Sequence, residues 1–497
     1  MTRESIVGVE DFVAITPLLI LFFASLIPLT LKVLRKNREM SSLSASLYAA
    51  IGPIGGIAAA ILFFGVNRSE PFYAFRSALV MDGLSIMSTL LISIITLFSI
   101  FICREHKAIV GKQYSEFLFL LLNSVVGMLI IAYSNDLIVT FIGIEIMSLC
   151  LYLIIAMSNE DKLSKEAAFK YFVLGSFASA ILLFGIAYIY GVTGTTYLDK
   201  LTLIAAQTVV SQPLFLLGLV LAIVGFCFKV ALIPFHAWTP DVYEGAPTPV
   251  TGFMATAVKA VTFVAFIRLL GGYYLDKMAS GDMVTALQWL AVLTIVLGNA
   301  AAVMQSSLKR MLAYSSIAHS GYIMMGLLAA SIGGDGFNGG AGVIFYTVAY
   351  SIMTLGAFAV VTVLEHKEND IVLVEELRGL SHRSPWLAAM FSLFLLSLAG
   401  IPPTIGFFGK VMLFSSAIAQ DMVWLVFWAA IGSVVSVYYY LRPLVLMYMK
   451  DEEGVTPSGD YRFSYAVIMI LGVCVVAGGL GTEYILELVR KAVVSFF

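Results

Sequence analysis

GFCFKVALIPFHAWTPDVYEGAPTPVTGFMATAVKAV, residues 225–261, decides how the chain is read. Two lysines, Lys229 and Lys259, interrupt stretches otherwise apolar enough to cross a membrane. A charge at the bilayer centre costs about 2.5–3.5 kcal/mol on insertion scales, so such a residue marks function by default. Between the lysines stand Pro234, His236, Pro240, Asp241, Glu244, Gly245, Pro247 and Pro249, and no helix runs unbroken through so many breakers. Pro234 supplies no amide hydrogen, which leaves the carbonyl of Val230 without its helical partner beside Lys229. Broken helices of this kind line midplane sites in transporters, where freed backbone groups meet water and ions.

The surrounding sequence is that of an all-α polytopic membrane protein. The chain is 60% hydrophobic and 12% charged, and its apolar runs repeatedly reach the twenty or so residues that span a bilayer. Fourteen spans are expected at 12–34, 43–66, 78–102, 114–133, 135–157, 164–191, 212–238, 247–270, 284–304, 308–329, 339–365, 385–416, 419–447 and 463–486, the seventh and twelfth interrupted. The near-neutral balance gives no basic patch for nucleic acid. Cys103, Cys150, Cys227 and Cys474 stand far apart, so no iron–sulfur or zinc framework is expected, and no nucleotide-binding glycine motif is present. Glu4, Glu10 and Asp11 replace the basic region of a secretory signal, and the first helix is expected to stay in the mature chain.

Basic residues fall unevenly on the two sides of this layout. Lys32, Arg35, Lys36, Arg38, Arg104, Lys107, Lys112, Lys162, Lys165, Lys170, Lys309, Arg310, Lys367, Arg378, Arg383, Arg442, Lys450 and Arg462 share one side. Only Arg3, Arg68, Arg76, Lys200, Arg268, Lys277, Arg490 and Lys491 lie on the other. The positive-inside rule then places both termini outside the cytoplasm. The division reads as a three-helix segment (1–112), a five-helix block (113–270, spans four to eight), a second block (283–447, spans nine to thirteen) and a C-terminal helix (460–497). An odd-numbered block that repeats must insert its second copy upside down, as in inverted-topology repeats. In each block the fourth helix carries breakers and a lysine. The second case is LAGIPPTIGFFGK, residues 398–410, ending in Lys410. Each second helix carries a titratable residue, Glu145 in one and His319 in the other.

Glu145 is the one acid deep in a span, and its natural partner is Lys229, as a proton switch or as a structural ion pair. Lys259 has Thr256 and Thr262 within a turn and can pass a proton through water, with snorkelling as the competing reading. Lys410 reads as an exit residue or as a cap on a broken helix end. His236, His319 and Tyr346 are candidate relays, each with capping or packing as the alternative. Tyr350 and Ser351 share the helix of Tyr346, and Asp241 and Glu244 are expected to cap helix ends or meet a partner. The mechanism suggested is proton transfer along Glu145, Lys229, Lys259 and Lys410 through water. Uphill pumping then needs an energy source outside this chain.

These residues carry a resemblance. Residues 228–260, LKRMLAYSSIAHSGYIMMG (308–326) and residues 398–410 resemble the antiporter-like membrane subunits of respiratory complex I. Within that group they are most similar to the chain N family of bacterial proton-pumping NADH:quinone oxidoreductase and to mitochondrial NADH dehydrogenase subunit 2. The early end after the last span and the lysine at Lys410 favour chain N over its sister subunits. The resemblance implies fourteen helices and two inverted repeats. It also implies a Glu–Lys pair at Glu145 and Lys229, a connecting lysine at Lys259 and an exit lysine at Lys410. NADH oxidation, quinone reduction, flavin and iron–sulfur clusters would belong to other subunits, leaving no cofactor in this chain. Its partners would be membrane-arm subunits of the complex in a bacterial inner membrane, the lipid bilayer, protons and internal water. A subunit of a multi-subunit cation/proton antiporter is the alternative the same motifs allow.

Overall fold

The computed structural model describes residues 8–36, 40–65, 71–111, 113–157, 162–205, 212–270, 281–331, 336–365, 372–450, 459 and 461–494. Arg3, Glu4, Arg38, Arg68, Lys112, Lys277 and Lys367, which enter the sequence reading above, lie outside them.

The chain opens with α1 (Val9–Ala14), α2 (Thr16–Leu34) and α3 (Ser42–Gly65), followed by a hairpin of β1 (Phe72–Ala74) and β2 (Leu79–Met81) and by α4 (Gly83–Cys103). The first block holds α5 (Tyr114–Tyr133), α6 (Leu137–Met157), α7 (Lys162–Thr193), α8 (Leu198–Ala205), α9 (Pro213–Lys229), α10 (Trp238–Gly245), α11 (Thr248–Phe253) and α12 (Lys259–Leu270). A π-helical segment, Met254–Val258, joins the last two. The second block holds α13 (Gly281–Val303), α14 (Leu308–Ser331), α15 (Gly336–Leu364), α16 (Leu380–Arg383), α17 (Pro385–Ala399), α18 (Ile405–Ala419) and α19 (Val423–Met449). The chain closes on α20 (Arg462–Leu480) and α21 (Thr482–Val494).

Eleven helices among the described residues are long and apolar enough to cross a membrane. Helix α14 has the length, 24 residues, but Lys309, Arg310, His319 and several hydroxyls make it more polar. The remaining expected spans are divided. The seventh ends its first part at Lys229 and resumes only at Trp238, so its second part lies almost wholly beyond the expected limit of residue 238. The twelfth breaks between Ala399 and Ile405, where Gly400 adopts φ 87 at the C-cap and Pro402 and Pro403 follow. The hairpin, α8 and α21 were not anticipated, being shorter than the apolar runs on which the reading rests.

The whole Thr248–Leu270 span is buried, and 89% of the most apolar window of Gly339–Leu364 is buried too. Helices apolar around their full circumference belong at the centre of a bundle. By contrast α7 turns Phe169, Phe177 and Phe184 outward. The N-terminal segment is pinned to the first block by Asp82. Its carboxylate caps α4 through the Ser85 amide and accepts both terminal nitrogens of Arg268 from α12, at 3.0 and 2.8 Å.

Candidate functional site

At the first break the freed backbone groups are taken up by side chains and turns, as an apolar surrounding requires. The Trp238 indole donates to the Phe228 carbonyl at 3.0 Å, and the Ile233 amide donates to Thr294 Oγ1 of α13 at 3.0 Å. Lys229, the last residue of α9, is 2% exposed and donates to Ser148 Oγ at 2.8 Å. Ser148 lies on α6, three residues after Glu145 and so on the same face. The two helices of this corner, α5 and α6, approach closely at paired glycines, where a methyl group on Gly143 would stand 2.9 Å from the Gly127 carbonyl. The expected direct Glu145–Lys229 ion pair is not formed. The ammonium takes the neutral hydroxyl one turn on, and Glu145 keeps one carboxylate oxygen buried without a hydrogen-bond partner.

Lys259 follows the π-helical segment directly, a deviation that recurs at functional sites. It is 2% exposed, and its ammonium donates to the Ser316 carbonyl at 2.6 Å, Ser316 Oγ at 2.5 Å and Ser320 Oγ at 2.9 Å. All three donors of the ammonium are thereby satisfied from one face of α14. The Tyr350 hydroxyl donates to Ser316 Oγ at 2.8 Å and extends the group to α15. Thr256 and Thr262 do not join it. Each donates to a carbonyl of its own helix, Gly252 and Val258 respectively, both at 2.7 Å. Ser351 likewise turns back to Thr347.

One residue before Ser320, His319 places Nδ1 2.6 Å from the Tyr346 hydroxyl and Nε2 3.1 Å from the Tyr440 hydroxyl, which itself meets the Ser315 hydroxyl. The relay candidates His319 and Tyr346 are thus in contact. Tyr346 packs over Gly409, where a methyl group would stand 2.6 Å from its ring, and so lies beside the backbone that carries Lys410. Lys410, 5% exposed, donates to the Ala399 carbonyl at 2.8 Å and to Ser433 Oγ at 3.0 Å. Both readings of this lysine meet here, since it caps the broken end of α17 and presents a buried ammonium 5.4 Å from the Tyr322 ring. His236 stays apart, in the break after α9, with Nδ1 buried and unbonded.

Asp241 and Glu244 are not helix caps. Asp241 accepts from Lys170 and from Arg310, both at 2.9 Å, and Glu244 accepts from the same Arg310 at 3.0 Å. These carboxylates are held by Lys170 of α7 and by Arg310 at the start of α14. The neighbouring Lys309 donates to the carbonyls of Glu244 and Ala246, so α14 grips the segment just after the first break. Lys309 also lies 3.4 Å from Glu365, whose carboxylate meets His106 Nε2 at 2.8 Å and the Thr248 hydroxyl.

The sequence reading did not single out Ser148, Ser316, Ser320, Ser433, Tyr440 or the Glu365 cluster. Helical spacing was an available signal for the first three, because Ser148 follows Glu145 by three residues, and Ser316 and Ser320 flank His319 four residues apart. Ser433, Tyr440 and Glu365 meet their partners across the fold. Among the described residues no group of three His, Cys, Asp or Glu side chains is placed to hold a metal ion, and the four cysteines are free.

The family profile described as NADH:quinone oxidoreductase/Mrp antiporter, TM, matches residues 134–436, which contain Glu145, Lys229, Lys259 and Lys410. NADH-quinone oxidoreductase subunit N of Bdellovibrio bacteriovorus is 46% identical over 98% of this chain and 99% of its own. Among solved structures, a chain of respiratory complex I from Thermus thermophilus is 33% identical, with a TM-score of 0.79 over 95% of this chain and 98% of that one. A chain of the Mrp complex from Dietzia shares the fold at a TM-score of 0.83, covering 98% of each chain, but only 19% of its residues.

Proposed function

The chain belongs to the NADH-quinone oxidoreductase subunit N family, and from that premise we propose that it works as the antiporter-like, proton-translocating membrane subunit of an NADH:quinone reductase, respiratory complex I. NADH oxidation and quinone reduction, with their flavin and iron–sulfur clusters, take place in partner subunits. The redox energy reaches this chain through its contacts with other membrane-arm subunits.

One observation carries the reading: three lysines, none more than 5% exposed, stand at a helix break, behind a π-helical segment and at a second helix break. Helix breaks expose backbone dipoles and admit water where continuous helices do not. Protons move from Glu145 and Lys229 to Lys259 and on to Lys410. Ser148 holds the first ammonium, and water bridges the gap between Lys229 and Lys259 that side chains leave open. In the second half Ser316, Ser320, Tyr350, His319 and Tyr346 lie between Lys259 and Lys410. The mid-helix positions of Glu145 and His319 and the paired breaks support two inverted five-helix repeats within fourteen crossings. The crowding of basic residues at the end that bears Arg310, Arg442 and Lys450 supports a cytoplasmic position for that end, with both termini periplasmic in a bacterial inner membrane.

The competing reading, a subunit of a multi-subunit cation/proton antiporter, rests on likeness of fold to the Mrp chain. Purification of the chain with its native partners in mild detergent separates the two. Flavin- and iron-containing partners with NADH:quinone turnover coupled to proton uptake are expected. A redox-inactive assembly that exchanges cations for protons would replace this reading with the other.

A further inference from the structure

We infer that Tyr440, together with Ser315, is a second connection of the His319 relay that joins it to the basic end of the bundle; the inference rests on the proton-transfer reading above. His319 is gripped by phenols from two different helices, with Nδ1 against Tyr346 of α15 and Nε2 against Tyr440 of α19. A neutral imidazole has one donor and one acceptor nitrogen. With both nitrogens bonded, the ring is a through-connection and not the end of a chain. The Tyr440 hydroxyl in turn meets the Ser315 hydroxyl. Ser315, Tyr440, His319 and Tyr346 therefore form a row of four groups, each able to donate and accept at once.

The two ends of the row lead to different places. Tyr346 packs over Gly409, the residue before Lys410. Tyr440 stands two residues before Arg442, a rise of about 3 Å along the helix. The Arg442 guanidinium donates to the Gln305 carbonyl at 3.2 Å and to Glu375 at 2.9 Å, and this is the charged rim at the basic end. Ser315 belongs to α14, whose first turn carries Lys309 and Arg310 at the same rim. Tyr440 thus lies within a turn of the rim while its hydroxyl reaches the buried histidine.

Transfer along the row balances without any further reactant. A proton arriving from Ser315 bonds to the Tyr440 oxygen as that oxygen's own proton passes to Nε2. The Nδ1–H bond breaks, its proton bonds to the Tyr346 oxygen, and the proton that oxygen held moves on toward Lys410. Rotation of the hydroxyls and a half-turn of the imidazole ring, which carries its N–H from the Tyr440 side to the Tyr346 side, reset the row. This opens the second half of the chain toward the basic rim, beside the transfer from Lys229 that it completes.

The test uses the whole complex in liposomes, measuring NADH-driven proton uptake and quinone reduction in H2O and D2O. Tyr440→Phe removes one oxygen and keeps the ring that packs on Tyr439 at 4.4 Å. Proton uptake is expected to fall about 100-fold or more, in the range of a lost proton-transfer group, with a larger solvent isotope effect and an unchanged melting temperature. Ser315→Ala should shift both readouts in the same direction. Tyr133→Phe removes another buried hydroxyl, one that accepts from Thr89 on α4, and should leave both unchanged. Wild-type uptake and isotope effect in Tyr440→Phe, with His319→Gln impaired, would overturn the branch and leave the relay standing. Normal pumping in His319→Gln would overturn relay and branch together. A loss in Tyr133→Phe equal to that in Tyr440→Phe would overturn the branch by assigning the effect to packing.

Discussion

Lys410→Met separates the function of the exit lysine from its structural contribution. The substitution keeps an unbranched side chain of similar reach and removes the charge. It deletes two hydrogen bonds, to the Ala399 carbonyl at 2.8 Å and to Ser433 Oγ at 3.0 Å. Bonds from a charged donor contribute about 1.5–3 kcal/mol each, so roughly 3–6 kcal/mol is lost. Against this, the charge no longer has to be held inside the membrane, which removes a cost of about 2.5–3.5 kcal/mol. The terms partly cancel, leaving a net loss of no more than about 3.5 kcal/mol in a complex stabilised by many helices. The variant should therefore assemble and melt within a few degrees of wild type, while proton uptake in proteoliposomes falls by about 100-fold or more. Failure to assemble would reduce Lys410 to a cap on α17. Wild-type pumping would refute the argument that its charge is on the path.

Glu365→Gln should destabilise the complex by about 3–5 kcal/mol, because it leaves Lys309 buried 3.4 Å from a neutral partner. A variant that melts with the wild type would contradict this assignment. Arg310→Met should cost no more than about 1 kcal/mol, since its partners Asp241 and Glu244 are partly exposed and screened. Its melting temperature should converge with wild type as salt is raised, and a large salt-independent loss would show the clamp on α10 to be stronger than argued. Gly409→Ala places a methyl group 2.6 Å from the Tyr346 ring and should push that phenol off His319, lowering proton uptake with little change in assembly. Normal uptake would mean that the ring is not required where it stands.

What could be read from the sequence follows from how far each signal travels along the chain. Insertion cost is local, so Lys229, Lys259 and Lys410 stand out against their own helices, and proline and glycine mark both breaks without reference to any neighbour. Partner choice is not local. Glu145 was paired with Lys229 by charge alone, whereas the folded chain brings the nearer Ser148 hydroxyl to the ammonium. Thr256 and Thr262 stand within a turn of Lys259 in the sequence, which does not reveal that each bonds back to its own helix. The π-helical segment before Lys259 has no distinctive composition, and the second partner of His319 lies 121 residues away on α19. Asp241 and Glu244 looked like caps beside so many prolines. Their actual partner, Arg310, comes from the other block.

The central claim is that the buried charges form the proton path of a redox-driven pump. The most direct measurement is the number of protons taken up per NADH by the purified complex in liposomes, for wild type and for Lys229→Met. The account predicts a wild-type complex that pumps and a fully assembled variant whose proton uptake per NADH, or coupled turnover, falls severely. Unchanged stoichiometry and rate in the variant would contradict it and leave Lys229 as a structural residue at a broken helix.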